Sequence, residues 1–117
     1  MKLGIIKNED RAIYKVLELI YKAFDYEVEI FSQDDFQPSY ASERSLDAIL
    51  VEENRDSEMG ASFAIAVRRS VPEKTIVGYF FFNPLSQTRL KELEECGVRN
   101  FNFMDLDKQK FTRWMED

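Results

Sequence analysis

The sequence predicts an α/β fold: a three-layer α/β/α sandwich built around a five-stranded parallel sheet. Three observations lead there. Segments of strand character and segments of helical character alternate five times along the 117 residues. The runs Lys2 to Ile6 and Asp47 to Val51 are almost continuously apolar, as strands covered on both faces are. Between the strands lie stretches with helical periodicity, which implies right-handed helical crossovers joining parallel strands.

Each element follows in order. Lys2 to Ile6 is the first buried strand. Asp10 to Phe24 places Ile13, Val16, Leu17, Ile20 and Phe24 on one helical stripe, with Arg11, Lys15, Glu18 and Lys22 opposite, and Asn8 or Asp10 stands where a cap is needed. Tyr26 to Phe31 alternates Glu27 and Glu29 with Val28 and Ile30, the pattern of a strand exposed on one face or lying at a sheet edge. Ser32 to Ser45 is polar and contains Pro38, so its helix is short or irregular. Asp47 to Val51 is a second buried strand, followed by a mostly polar loop. Gly60 opens a helix with Phe63, Ala64 and Val67 inward, and Val71-Pro72 ends it. Thr75 to Phe82 is rich in β-formers. After Asn83-Pro84 a helix carries Leu85, Leu90, Leu93 and Cys96 inward, and Gly97 suits a left-handed terminator. Val98 to Met104 is the fifth strand. Asp107 to Met115 is a last helix with Phe111, Trp114 and Met115 on one side.

Composition narrows the function classes. Apolar residues make up 44% and aromatics 14% of the chain, which excludes a disordered polymer and fits one folded domain over 1–117. The net charge of −6, from 22 acids against 16 bases, repels a phosphate backbone, so nucleic-acid binding by this domain alone is not expected. Cys96 is the single cysteine and histidine is absent, which leaves no disulfide, no zinc set and no Ser/His or Cys/His hydrolase chemistry. No segment approaches the roughly 20 apolar residues of a membrane span. A cytoplasmic protein is expected.

The positions of Leu3 to Asp10, Asp47 to Glu52, Gly60, Thr75 to Phe82 and Gly97 to Met104 resemble those of a receiver domain, the phospho-accepting module of two-component response regulators. The resemblance covers nearly the whole chain and implies the flavodoxin-like strand order 2-1-3-4-5. It also implies a place for each reactive residue, and those residues are almost all replaced. The acid pair that holds magnesium in the family corresponds to Lys7 and Asn8, with acids following at Glu9 and Asp10. The phosphoacceptor Asp corresponds to Glu52, and the glycine after it to Gly60. The switch Thr or Ser corresponds to Phe82, and the Lys that pairs with the phosphoryl group to Met104, followed by Asp105 in place of Pro. The aromatic switch position keeps its type as Phe101.

Each replacement removes a step of the chemistry. Carboxylate phosphorylation needs a hard divalent cation held by several oxygens, and Lys7 puts an ammonium where that cation would sit. Glu52 is a methylene longer than Asp, and a displacement of about 1 Å costs roughly a hundredfold where in-line geometry matters. Phe82 has no hydroxyl and Met104 no charge, so a phosphoryl group would find few partners. Two readings of Glu52 follow: an ion pair with Lys7 in place of the metal, or an imitation of the phosphorylated state. The bland reading is that Phe82, Phe101 and Met104 fill a vacated pocket, with Lys7 a solvated strand-end lysine.

The leading expectation is an atypical receiver, not an enzyme and without a cofactor or metal, that signals through protein contacts independently of aspartyl phosphorylation. Its partner would be another signalling protein or its own output domain following Asp117. The resemblance points to the face of the fourth helix, fifth strand and fifth helix, which also serves homodimers. Arg89, Lys91, Glu92, Glu95, Asn100, Asn102, Lys108, Lys110, Arg113 and Trp114 would supply it, a mixed-charge surface. An exposed Trp114 would act there as an interface anchor. The alternative is a receiver that still accepts phosphate on Glu52, Glu53 or Asp56 with magnesium on the displaced Glu9 and Asp10. A flavodoxin-like ligand binder or enzyme is the third reading, and the glycine-free, acidic loop after the first strand argues against it.

Overall fold

The computed structural model describes residues 1–7, 24–53, 57–81, 85–102 and 108–116. Five strands, β1 (Lys2–Lys7), β2 (Glu27–Ser32), β3 (Ala48–Glu52), β4 (Ile76–Phe81) and β5 (Arg99–Asn102), form one sheet. All pairings are parallel and the order is β2-β1-β3-β4-β5. The described helices are α1 (Tyr40–Glu43), α2 (Ser57–Ser70), α3 (Gln87–Glu95) and α4 (Lys108–Glu116). The predicted helix Asp10 to Phe24 lies outside the described residues except for Phe24.

Strand alternation divides the interior in two. Ile49 and Val51 of β3 and Val77, Tyr79 and Phe81 of β4 face one way, onto α1, α2 and α3. Ala48 and Leu50, with Leu3, Ile5, Phe80 and Phe101, face the other way, onto Phe111, Trp114 and Met115 of α4. The one domain therefore holds two cores, because a parallel sheet covered on both sides separates its apolar residues by parity. The sandwich expected from the sequence is the one observed.

Local chemistry explains the element ends. The segment before β3 supplies only the four-residue α1, as its polarity and Pro38 led us to expect. Helix α2 begins at Ser57, three residues before the predicted start, so Gly60 stands inside it. A Cβ on Gly60 would come within 2.6 Å of the Tyr79 hydroxyl, and glycine lets this turn lie directly on β4. The inner face of α2 is Ala61, Ala64, Ile65 and Val67, and Phe63, half-buried, packs against the same core as predicted. Ser86 caps α3 by accepting from the Arg89 N–H at 3.2 Å. Gly97, at φ +84°, takes the left-handed conformation anticipated for the helix stop. Cys96 is a free thiol, partly buried against the α2 and α3 side of the core.

Candidate functional site

In a doubly wound parallel sheet the carboxyl ends of the strands converge on one edge, where reactive groups collect. Here that edge brings together Lys7 at the end of β1, Glu52 at the end of β3 and Glu53 just beyond it. The β1–β3 register runs from Leu3 opposite Ala48 to Ile6 opposite Val51, so the next step places Lys7 beside Glu52. Parity turns both side chains toward the α4 side of the sheet, since Ile5 and Leu50 two residues earlier belong to that core.

Both acids are inside the protein. Glu52 is 1% exposed and Glu53 4%. Glu52 lies opposite Phe80 in the β3–β4 register, and the Glu53 N–H donates to the Phe80 carbonyl at 2.8 Å, extending the ladder by one rung. Removal from water raises the Glu52 carboxyl well above the usual carboxylate range, because burial penalises the charged form. The Lys7 ammonium acts in the opposite sense and lowers it, but burial is the larger effect. Lys7 itself is half-buried.

The sign of the pH dependence follows. A carboxyl raised in the folded state binds its proton more tightly there than in the unfolded chain. Its stabilising contribution is complete below the unfolded pKa and is lost as pH rises through the folded value. Glu52→Gln, which keeps the shape without the charge, is expected to be more stable than the parent at neutral pH, because the cost of burying the charge is removed. It should also flatten the stability profile above the ordinary carboxylate range. Urea denaturation of both proteins at several pH values checks this, and a variant less stable than the parent at neutral pH would contradict it.

Among the other family-matched positions, Phe101 is buried, with its ring 5.1 Å from Phe80 and 5.6 Å from Trp114. Asn8, Glu9, Asp10, Asp56, Phe82, Met104 and Asp105 lie outside the described residues. Among the described residues no group of three or more acids, cysteines or histidines could hold a metal ion. Lys7 and Glu52 do not fit magnesium, since the ammonium takes the place of an oxygen donor.

The proposed partner face is assembled from α3, β5 and α4, the predicted fourth helix, fifth strand and fifth helix. Lys91, Glu92, Glu95, Lys110 and Arg113 are exposed, and Asn100 and Asn102 half-buried. The side chain of Lys108 lies outside the described residues. Arg89 turns inward from this face: it pairs with Glu92 at 2.7 Å and donates to the Ser62 hydroxyl of α2. Trp114 is not an exposed anchor. Its indole packs on Phe80, Phe101 and Phe111, and its Nε1–H donates to the Asn100 carbonyl at 2.9 Å. One edge of Trp114 still lines a groove of about 440 Å³ with Glu94, Gly97, Val98, Arg99 and Asn100. A second groove, of about 520 Å³, runs along Gln87, Leu90, Lys91, Glu94 and Asn100. Glu94 and Arg99 were missed from sequence, although Glu94 lies one helical turn from Leu90 and Lys91, which marks its side of α3.

This parallel sheet of order β2-β1-β3-β4-β5 with flanking helices defines the receiver-type, flavodoxin-like class of fold. Solved structures bear this out. The chain is similar to the chemotaxis protein CheY4 of Vibrio cholerae, with 17% identity and a TM-score of 0.71 over 98% of this chain and 95% of that one. It is similar to a response regulator receiver protein of Burkholderia phymatum, with 14% identity and a TM-score of 0.67 over 97% and 90%. It also resembles a Burkholderia thailandensis protein assigned to pilus assembly (CpaE), with 13% identity and a TM-score of 0.67 over 100% and 99%. No protein-family model matches the chain, and no curated protein matches it in sequence.

Proposed function

We propose that this domain is an atypical receiver in signal transduction that works through protein contacts and does not require aspartyl phosphorylation. The observation that carries the reading is Glu52: the residue at the phosphoacceptor position is almost wholly buried, beside a lysine where the family keeps a metal-binding acid. A buried carboxyl that favours its protonated form is a poor nucleophile toward a phosphoryl donor. On this reading the domain is not an enzyme and acts as a binding module. Its partner is another signalling protein or an output domain, engaged over the α3–β5–α4 face, where Lys91, Glu92, Glu95, Lys110 and Arg113 are exposed and Lys91 and Glu94 line the grooves. The same face would serve a homodimer. The acidic net charge supports a protein partner over nucleic acid, and among the described residues no helix is long and apolar enough to cross a membrane.

The test is incubation with acetyl phosphate and magnesium followed by intact mass, with beryllofluoride added in a parallel amide NMR titration. The expected result is an unchanged mass and no shifts near Glu52 and Phe101. A phosphoryl adduct on Glu52 or Glu53, or saturable shifts running from Glu52 to α4, would instead establish a phospho-accepting receiver with unusual pocket residues.

A further inference from the structure

A buried acid at the acceptor position has a use that needs no phosphoryl group. We infer that Glu52 is a proton-operated switch, in which gain or loss of a proton at the end of β3 sets how α4 is seated on the sheet. The inference rests on the phosphate-independent reading above, since a phosphorylated Glu52 would have no proton to exchange.

Three observations support it. Glu52 is 1% exposed, so its ionisation places a charge inside the protein, a large local change for one proton. A responder stands beside it: Lys7 is the adjacent strand-end residue, and its ammonium favours the charged form of Glu52 and would lose that attraction when the carboxyl is neutral. A route outward also exists. Phe80, opposite Glu52, meets Trp114 edge-to-face at 5.4 Å and Phe111 in a tilted contact at 6.0 Å, the two aromatic residues that seat α4.

The end of α4 is tied to the sheet by few polar contacts. Trp114 donates to the Asn100 carbonyl, and the Arg99 guanidinium donates to the carbonyls of Trp114 and Met115 at 2.7 and 2.9 Å. A change in the environment of Phe80 is therefore felt at Trp114, which lines the partner-face groove. The charged and titratable groups near Glu52 among the described residues are Lys7 from β1 and Glu53 next in the chain. Residues opposite it on β4 and those α4 packs onto this side of the sheet, Phe80, Phe111, Trp114 and Met115, carry no charge. By sequence, Glu9, Asp10, Arg11, Arg55, Asp56, Asp105 and Asp107 flank the same strand ends and lie outside the described residues.

The experiment follows Glu52 and Trp114 together in the full chain, by side-chain carboxyl carbon shifts and the single indole N–H, from about pH 4 to about pH 8. Both signals are expected to report one shared single-proton transition above the ordinary carboxylate range. E52Q should abolish it and hold Trp114 at its low-pH position, and K7M should move it to higher pH. The switch is overturned if Glu52 titrates in the ordinary range, if the Trp114 transition persists in E52Q, or if Trp114 stays still while Glu52 titrates. K7M keeps the test decisive if E52Q folds poorly, because an unmoved transition in K7M overturns the proposed coupling. Intact mass after acetyl phosphate separates the two claims. A phosphoryl adduct overturns the phosphate-independent reading, whereas an unphosphorylated Glu52 with no raised transition overturns the switch alone.

Discussion

Phe111→Ala is expected to remove about 3 to 5 kcal/mol of stability, the largest loss at any single position in α4. Phe111 has no exposed surface, and its ring lies 5.5 Å from Tyr26, 5.9 Å from Phe24, 6.0 Å from Phe80, 6.1 Å from Phe101 and 6.0 Å from Trp114. Truncation leaves a cavity walled by five aromatic rings, and such large, rigid rings cannot collapse into it without giving up their contacts with one another. Domains of this size hold only about 5 to 15 kcal/mol in total, so the variant should be near its unfolding threshold. Chemical denaturation reads the effect directly. A loss below about 1 kcal/mol would mean that α4 is not held by this cluster, and the route from Glu52 to α4 would fail with it.

Gly78→Ala should cost about 3 kcal/mol through the opposite fault, overpacking. A Cβ at Gly78 would stand 2.1 Å from Cη2 and 2.7 Å from Cζ2 of Trp114, and 3.1 Å from a Leu50 methyl. The indole has little room to retreat, because its Nε1–H is bonded to the Asn100 carbonyl and its other face meets aromatic rings. The whole of α4 must lift instead. The Trp114 fluorescence maximum should shift with the loss of stability, and shortening the side chain in a Gly78→Ala/Trp114→Leu double variant should recover part of it. The two changes share one contact, so they should be strongly non-additive. Additive losses would show that the ring does not rest on the β4 backbone.

These two residues show where local sequence is informative and where it is not. Phe111 was placed on an inner helical face from periodicity alone, because a stripe of Phe111, Trp114 and Met115 has only one way to be buried. Gly78 lies in a run of β-formers and gives no local sign that it receives an indole. That depends on which helix crosses which strand. Trp114 shares that stripe, and the interface anchor that an exposed Trp114 would have made is replaced by packing against the core, with the ring seated on β4.

The candidate site divides similarly. That Glu52 ends a buried strand was legible, since Asp47 to Val51 is apolar and Glu52 follows directly. That Lys7 stands next to it was suggested by the family resemblance and follows from the parallel register of β1 on β3. The depth of burial of both Glu52 and Glu53 was not legible. Acids at a strand end are ordinarily solvated, and only the extra ladder bond from Glu53 to Phe80, with the rings packed below, makes these two exceptions.

By itself, then, the sequence determined the alternation of strands and helices and the layering of the sandwich. Those properties are written in periodicity and residue type, which act over a few neighbouring residues. Only the tertiary structure decided the close seat of Trp114 on Gly78, the inward turn of Arg89, and the state of the Glu52 carboxyl. Each of these depends on how much water and which charge reach a group, and that is fixed by segments far apart in the chain.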